Sequence, residues 1–472
     1  MKKILFRIML LSCIFTLTGC TVGPNYHRQE PNMPLTWFGK TKPINDDYSK
    51  LVHWWTEFND SNLTSLVERA TNTNLDLLQA QARIRQARAA RGIAEGGLWP
   101  SVDAGGSYTR GRIPIFNNPN PPTRNLFLTG LDAVWEIDIF GGIRRNIEAA
   151  DADVQFAIED HRDILVTLVS EVAINYFDLR GFQQEIVIAQ NNLQAQQKTA
   201  ELTHKKFQGG LTGSLDVANA DAQVSTTAST IPKFEASAQQ SIYNLSVLLG
   251  LEPTALLKEL SALNPIPQTL PLVPIGIPSE LLRRRPDIRR AEAAIHGATA
   301  RIGVATADLY PKFSLTGSVN FQNDQLHGLI NSNNGFWTVG PAVDWQIFSA
   351  GRIRSNIELQ KALKEESMIA YQKTVITALK DVENALIAYS KEYERHKNLT
   401  DAVVHNRKAV DNATQLYDQG LTDFLNVLVT QRSLFVSEDA LVQSTHNLST
   451  DLVALYKALG GGWNTEQLAI SK

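Results

Sequence analysis

The stretch GGIRRNIE, residues 141–148, recurs as GRIRSNIE, residues 351–358, at an offset of 210 positions. The same offset relates the glycine turn GGLTGSLDV, residues 209–217, to QGLTDFLNV, residues 419–427. Similarity held at one fixed spacing is the signature of a tandem repeat. We therefore expect the two halves of the chain to build the same structural unit.

The N-terminus has the pattern of a secretory signal. Three cationic residues precede a short apolar run, residues 8–17, which is too short to span a bilayer, and the run ends in LTGC, residues 17–20. A leucine three positions before a cysteine, with small residues between, resembles the bacterial lipobox, in which a diacylglyceryl group is attached to the cysteine sulfur. The alternatives are an ordinary signal peptide with a chance cysteine and a signal anchor. We expect a covalent lipid on Cys20.

Composition sets wide limits on the remaining chain. The protein has 472 residues, of which 43% are hydrophobic and 20% charged, with a formal net charge of −3, so nucleic-acid binding is not expected. The second cysteine, Cys13, lies within the predicted signal, which leaves no pair for a disulfide. Gram-negative lipoproteins kept in the inner membrane commonly carry Asp after the lipidated cysteine. Thr21 stands there, which favours the outer membrane.

Each half contains two segments that alternate between apolar and polar residues, strictly in the second half. In residues 313–322 and 337–347 every second residue is apolar or glycine, and residues 102–108 and 127–137 repeat the pattern more loosely. Alternation with period two predicts strands, and about ten residues suit a tilted strand that crosses a bilayer. The edge of a soluble sandwich would alternate equally. Aromatic residues at the strand ends favour the membrane: Trp99, Trp135, Tyr310, Trp337 and Trp345.

Four strands are too few to close a barrel, which needs about eight. An open sheet in lipid would leave unpaired backbone groups along its edges, at a cost of several kcal/mol each. We therefore expect a barrel shared between subunits. Three copies would supply twelve strands, four from each subunit.

The longest predicted elements are helices that follow the strand pairs. Residues 352–419 carry no glycine or proline, and about 1.5 Å per residue gives a helix of roughly 100 Å. Val375, Leu379, Val382 and Leu386 fall at heptad spacing, which predicts helices packed along their length. Shorter helices, including one over residues 62–97, would stack end to end beside the long ones. Each subunit would then contribute four helical segments to the wall of a helical barrel.

The repeat divides the chain into six regions. They are a signal peptide (1–19), a lipid-anchored extended segment (20–61), repeat 1 (62–250), a proline-rich equatorial linker (251–285), repeat 2 (286–460) and a C-terminal tail (461–472).

Several motifs together resemble the TolC-like outer-membrane efflux factors, and more closely their lipid-anchored branch. They are CTVGPNY (20–26), RRPDIRRAE (284–292), QRSLF (431–435), YKALGGGW (456–463) and the duplicated Gly-Leu-Thr turns. The resemblance covers nearly the whole mature chain. It implies a homotrimer with a twelve-stranded outer-membrane β-barrel continuous with a twelve-helix periplasmic α-barrel. The implied partners are a periplasmic adaptor (membrane fusion) protein and an inner-membrane resistance–nodulation–division transporter.

The resemblance implies a passive exit duct for small toxic compounds. An exit channel for type I protein secretion uses the same architecture, and a structural envelope lipoprotein is a third interpretation, which the alternating strands disfavour. No HExxH, lipase-type GxSxG or P-loop sequence is present, so we expect no enzyme and, beyond the lipid, no cofactor or metal.

Within the family the lower helix ends close the duct. The resemblance places a gate tyrosine at Tyr417 and its acidic partner at Asp216, and so predicts a hydrogen bond between them. The alternative is ordinary coiled-coil packing for Tyr417 and a surface carboxylate for Asp216. The two glycine turns become the adaptor-docking residues: Gly210, Leu211, Thr212, Gly420, Leu421 and Thr422.

This chain departs from the family at the predicted aperture. Asn426 and Val429 stand where relatives often carry acidic residues, and Thr422 stands where an arginine of the TolC type falls. Leu425 and Val429 are one helical turn apart. We therefore expect the narrowest ring to be apolar rather than acidic.

Overall fold

The computed structural model describes residues 21–31, 33–38, 49–112, 122–267 and 278–464. The predicted signal peptide, Cys20 and parts of the linker and tail lie outside these residues. The chain forms two compact units, neither of which is continuous in sequence. Within the described residues, the first comprises 21–30, 83–112, 122–158 and 290–372. The second comprises 31, 33–38, 49–82, 159–267, 278–289 and 373–464.

Helices dominate the described residues. In chain order they are α1 (Ser49–Val52), α2 (Ser61–Thr73), α3 (Leu75–Gly96), α4 (Gly142–Gln208), α5 (Ser214–Leu248), α6 (Leu257–Leu260), α7 (Leu281–Arg284), α8 (Pro286–Ala307), α9 (Arg352–Asp418) and α10 (Phe424–Ala458). Short 3-10 helices cover Trp54–Phe58, Pro278–Glu280 and Ser332–Asn334. None of the described helices combines the length and the apolar character needed to cross a bilayer.

The four strands form one antiparallel sheet in the first unit. They are β1 (Ser101–Gly111), β2 (Arg124–Ile137), β3 (Lys312–Asn323) and β4 (Gly335–Asp344), in the spatial order β1-β2-β3-β4. Val319 pairs with Leu131 on one side and Trp337 on the other, so apolar residues share one face. Within the described residues, β1 and β4 each pair on one side only. The predicted strands are confirmed, although β4 ends before Trp345.

The structure confirms the tandem repeat. The long helices α4 and α9 begin and end 210 positions apart, as do α5 and α10. Three glycine pairs with positive φ keep the same offset: Gly141 and Gly351, Gly210 and Gly420, Gly250 and Gly460.

A tryptophan contact is also duplicated in the first unit. The indole N–H of Trp135 donates to the carbonyl of Leu98 at 2.9 Å, and the indole N–H of Trp345 donates to the carbonyl of Leu309 at 3.1 Å. Both copies therefore tie the end of the second strand of the pair to the turn that precedes the first strand.

The single helix predicted for residues 62–97 is wrong, because the chain breaks it at Asn74. Asn74 has extended backbone, and its N–H donates to the Ala70 carbonyl at the end of α2. Its side-chain oxygen then accepts from the Leu77 N–H at 3.0 Å at the start of α3. One asparagine thus caps both helices, as its short polar side chain allows.

The predicted heptad positions form much of the core of the second unit. Val375, Val382 and Leu386 of α9 are buried, as are their counterparts Leu165, Val172 and Tyr176 of α4. The stripe fades along α9, where Tyr393 is exposed.

Candidate functional site

The predicted site lies at the two turns that join each long helix to its return helix. Gly210 and Gly420 adopt φ of +73° and +74°, which glycine tolerates because it lacks Cβ. The N–H of Leu211 bonds to the Lys206 carbonyl at 2.8 Å, and the N–H of Leu421 bonds to the Leu416 carbonyl at 2.9 Å. These bonds satisfy free carbonyls at the helix ends, as in a Schellman cap. The sequence therefore stops both helices by the same device.

Each return helix opens with a bond between side chains four residues apart. In the first copy the Thr212 hydroxyl donates to the Asp216 carboxylate. In the second, the Asn426 amide donates to the Thr422 hydroxyl at 2.8 Å. Asp216 lies in the first turn of α5, where the helix dipole favours a negative charge. Asp216 and Asn426 are equivalent positions, so only the first copy carries a charge here.

The predicted hydrogen bond between Tyr417 and Asp216 is wrong. The Tyr417 hydroxyl donates instead to the Thr203 hydroxyl of α4 at 3.3 Å, and the Tyr417 side chain is only 4% exposed. The Asp216 carboxylate is held by Thr212 at the start of its own helix. Asp216 is therefore satisfied locally, and Tyr417 reaches α4 instead.

Lys206 makes the link between the two hairpins that the sequence did not predict. Its Nζ lies 4.0 Å from the centroid of the Tyr417 ring and also donates to the Tyr417 carbonyl. A cation over an aromatic face is attracted by the ring quadrupole, and a cation near a helix C-terminus is favoured by the dipole. One sequence signal for this contact existed. The two halves differ at this position, since position 416, which is equivalent to 206, is leucine.

Apolar packing fills the space around Tyr417. The buried cluster unites residues of both hairpins: Ala200, Ala220, Ala413, Tyr417, Phe424, Val427 and Leu428. The Tyr417 and Phe424 rings lie 5.7 Å apart at a tilt of 59°. The tyrosine is thus both a packed core residue and the acceptor of the Lys206 contacts.

Two further polar bonds join α10 to the first hairpin. The Gln431 amide donates to the Thr199 hydroxyl of α4 at 3.0 Å, and Arg432 Nε donates to the Gln223 oxygen of α5 at 2.8 Å. Gln431 and Arg432 belong to the QRSLF motif, which contributes to the family resemblance and for which no contact was predicted. The contacts give those residues a structural role.

The residues predicted for the aperture and for docking are on the surface. Leu425 is 61% exposed and Val429 53% exposed, and Asn426 is exposed beside them. Leu211 and Leu421 at the turns are also exposed. Exposed leucines at a turn leave apolar area in water. Their roles in gating and docking stay predictions.

A buried carboxyl group lies further along the long helix. Glu185 of α4 is 5% exposed. Burial, followed by a side-chain hydrogen bond with Asp439 of α10 and the charge of that carboxylate, raises the pKa of Glu185 to about 9. At neutral pH Glu185 is therefore protonated and able to donate a proton to a hydrogen bond.

The segment that follows Cys20 is firmly bonded within the first unit. The Arg145 guanidinium donates to the Val22 carbonyl at 3.1 Å and to the Asn25 side-chain oxygen at 2.7 Å. Gly23 has φ of +86°, and a Cβ built on it would lie 2.5 Å from the Gly303 Cα. Only glycine fits this close approach.

Cys20, the predicted lipid site, lies outside the described residues. Within them, no group of three or more histidine, cysteine or acidic side chains is arranged to hold a metal ion.

Comparison with known proteins gives close similarity over the whole length. The family model for outer membrane efflux protein matches residues 66–251 and 277–461. Nodulation protein T of Rhizobium leguminosarum bv. trifolii is 31% identical over 452 residues, covering 95% of this chain and 96% of the relative. The toluene efflux pump outer membrane protein TtgF of Pseudomonas putida is 30% identical over 464 residues, covering 95% of each.

Among solved structures, the outer-membrane channel OprN superposes with a TM-score of 0.88 at 35% identity. The match covers 94% of this chain and 100% of that chain. The similarity therefore includes the sheet, the long helices and the hairpin turns.

Proposed function

The chain belongs to the outer membrane efflux protein family, and we propose that it is the passive exit duct of a tripartite pump for small toxic compounds. Membership confirms the resemblance inferred from the motifs. The protein is an outer-membrane efflux component that extends into the periplasm. The relatives are channel proteins rather than enzymes, and we infer that the chain has no catalytic activity of its own.

The observation that carries the proposal is the four-stranded sheet with two edges left open within the described residues. Strand edges in lipid must be paired, so the sheet requires partners of the same kind. We propose a homotrimer, in which twelve strands form the barrel and twelve helical segments form the duct. The exposed turns at Gly210 and Gly420 would then provide six tips for a periplasmic adaptor.

The energy source has to lie in another protein. The sequence contains no P-loop, and we propose that an inner-membrane transporter of the resistance–nodulation–division type drives the export. The names of the relatives speak for small-molecule efflux over protein secretion, since the Pseudomonas putida protein is called a toluene pump component.

Deletion of the gene tests this function directly. We expect the deletion strain to become more sensitive to toxic compounds and to keep its secreted proteins unchanged. The matched control restores the wild-type gene on a plasmid. Loss of a secreted protein with unchanged sensitivity would support the secretion channel instead. Purified protein should have three times the mass of the subunit and conduct ions in planar bilayers.

We also propose that Cys20 carries the lipid. Directly after this position, Val22 and Asn25 accept hydrogen bonds from Arg145 of the first unit. A lipid on Cys20 would therefore be attached close in sequence to a part of the chain that is bonded to the folded unit. Labelled palmitate should be incorporated into the wild-type protein and lost in Cys20→Ser. Persistent label in that variant would rule the site out.

A further inference from the structure

The second unit contains a cavity of about 320 Å³ that the efflux function leaves unexplained. Five parts of the chain line it: the segment before α2, the helices α2, α3 and α4, and the segment after α10. Its apolar and aromatic walls include Val52, Trp55, Leu77, Leu165 and Trp463. Since a water in the liquid takes about 30 Å³, the space equals about ten waters. It lies within the range of small-ligand pockets, which begins at roughly 300 Å³.

His161 of α4 lines this cavity with an unsatisfied imidazole. Its side chain is 6% exposed, and among the described residues neither ring nitrogen has a hydrogen-bond partner. Burial, and then the positive charge of Arg162, lowers the pKa of His161, so the ring is neutral at neutral pH. A buried polar group without a partner costs about 1–3 kcal/mol. The histidine therefore favours a partner inside the cavity.

Neighbouring polar groups are already engaged with one another. The Arg162 guanidinium donates to Glu159 at 2.7 Å and stacks on Trp463 at 4.6 Å. The indole N–H of Trp463 donates to the Arg284 carbonyl at 3.1 Å. Arg289 adds a second bond to Glu159 at 2.8 Å. These contacts hold the wall in place. The lining itself carries one cation, Arg162, and one carboxylate, Glu68, so its formal charge is zero and does not call for an ionic ligand.

We propose that this cavity is a binding site for a small neutral aromatic alcohol, with the hydroxyl on His161 and the ring against Trp55 and Leu165. A hydroxyl both donates and accepts, so it pairs with a neutral imidazole in either tautomer. An aromatic ring gains by packing against tryptophan and leucine. A neutral ligand also avoids the cost of removing a charge from water.

Phenol is the probe, and the full-length purified protein is the target. Saturation-transfer NMR and calorimetry should show saturable binding at neutral pH. Toluene lacks the hydroxyl and cyclohexanol lacks the aromatic ring, so both should bind more weakly than phenol. Losing the hydrogen bond to His161 should weaken phenol binding about tenfold in His161→Phe.

Two substitutions fill the space rather than remove the polar group. Gln81→Trp acts at the exposed rim, and Leu165→Trp acts inside the cavity. Gln81→Trp is the safeguard, since a rim residue is changed at little risk to folding. His405→Phe, at an exposed histidine of α9, is the matched control and should bind phenol like the wild type.

The site is supported by loss of binding in Gln81→Trp and binding about tenfold weaker in His161→Phe, together with wild-type affinity in His405→Phe. Three results would overturn it: no saturable phenol binding by the wild type, equal binding by the variant with a filled rim, or equal affinity for toluene and phenol. Thermal unfolding of each variant separates lost binding from lost folding.

Discussion

The ammonium group of Lys206 lies 4.0 Å from the centroid of the Tyr417 ring and donates to the carbonyl of the same residue. One lysine near the end of α4 thus holds both the side chain and the backbone of the last turn of α9. Lys206 thus contacts Tyr417 of the other hairpin, whereas the family resemblance predicted the acidic Asp216 as the partner of Tyr417.

We expect Lys206→Met to raise the resting conductance of the duct in planar bilayers. The change keeps the length of the side chain but removes a cation–π contact of about 0.5–2 kcal/mol together with a charged hydrogen bond. Lys205→Met is the matched control, because Lys205 pairs with Glu201 of its own helix at 2.7 Å. Equal conductance in the two variants would exclude Lys206 from the gate.

Asp216→Ala should leave the resting conductance unchanged, since the Asp216 carboxylate bonds to Thr212 and not to Tyr417. We expect instead a loss of stability of about 1 kcal/mol from the start of α5, as for other helix-start contacts. Thermal unfolding measures the loss, and Thr212→Ala should show a similar one. A raised conductance in Asp216→Ala would restore the acidic partner assigned from the family.

Val429→Asp should make the duct sensitive to divalent cations. Val429 is exposed on α10 one turn from Leu425, so in a trimer the substitution would add a ring of three carboxylates. Oxygen ligands suit Mg²⁺ and Ca²⁺. Current through the variant should fall when millimolar Mg²⁺ is added. Val436→Asp, at another exposed valine of α10, is the control. The same Mg²⁺ response in both variants would contradict an aperture at Val429.

The pKa of Glu185, raised to about 9, makes stability depend on pH. The folded chain keeps a proton that the unfolded chain releases above its ordinary pKa of 4.5, so the stabilising contribution is complete below that pH. It is lost as the pH rises through about 9. The unfolding midpoint of the wild type should therefore fall between about pH 5 and about pH 8.

Glu185→Gln should flatten that fall, because the amide keeps the shape and does not ionise. Glu366→Gln, at an exposed glutamate of α9, is the control and should keep the wild-type dependence. If the midpoint of Glu185→Gln fell with pH as steeply as that of the wild type, the buried proton would not lie on Glu185.

The helices, strands and turns could be predicted from the sequence because they depend on residues close together in the chain. Glycines at Gly210 and Gly420 permit positive φ, and apolar spacing of 3.5 or two residues defines helix and strand. The break at Asn74 was not readable in this way, since an asparagine inside an alanine-rich helix gives no sign that its side chain caps the next one.

The contacts between the two hairpins depend on atoms brought together from distant parts of the chain. Tyr417 and Thr203 are 214 residues apart, and which hydroxyl the tyrosine reaches depends on how α4 and α9 pack. The family resemblance predicted that Tyr417 is a gate residue bonded to Asp216, and the structure shows Tyr417 bonded to Thr203 of α4. The resemblance supplied the wrong partner because it could not show that Thr212 already holds Asp216.

The bond from the Trp135 indole to the Leu98 carbonyl exists twice, since Trp345 and Leu309 repeat it. Each chain therefore contains two equivalent copies of this hydrogen bond, and one can serve as the reference for the other. Damage to one contact can be judged against an intact counterpart that shares the same expression level, detergent and temperature. Where the two copies carry different residues, as at Lys206 and Leu416, the fold that they share does not explain the difference. Positions at which the two copies differ therefore identify residues whose role is specific to one hairpin.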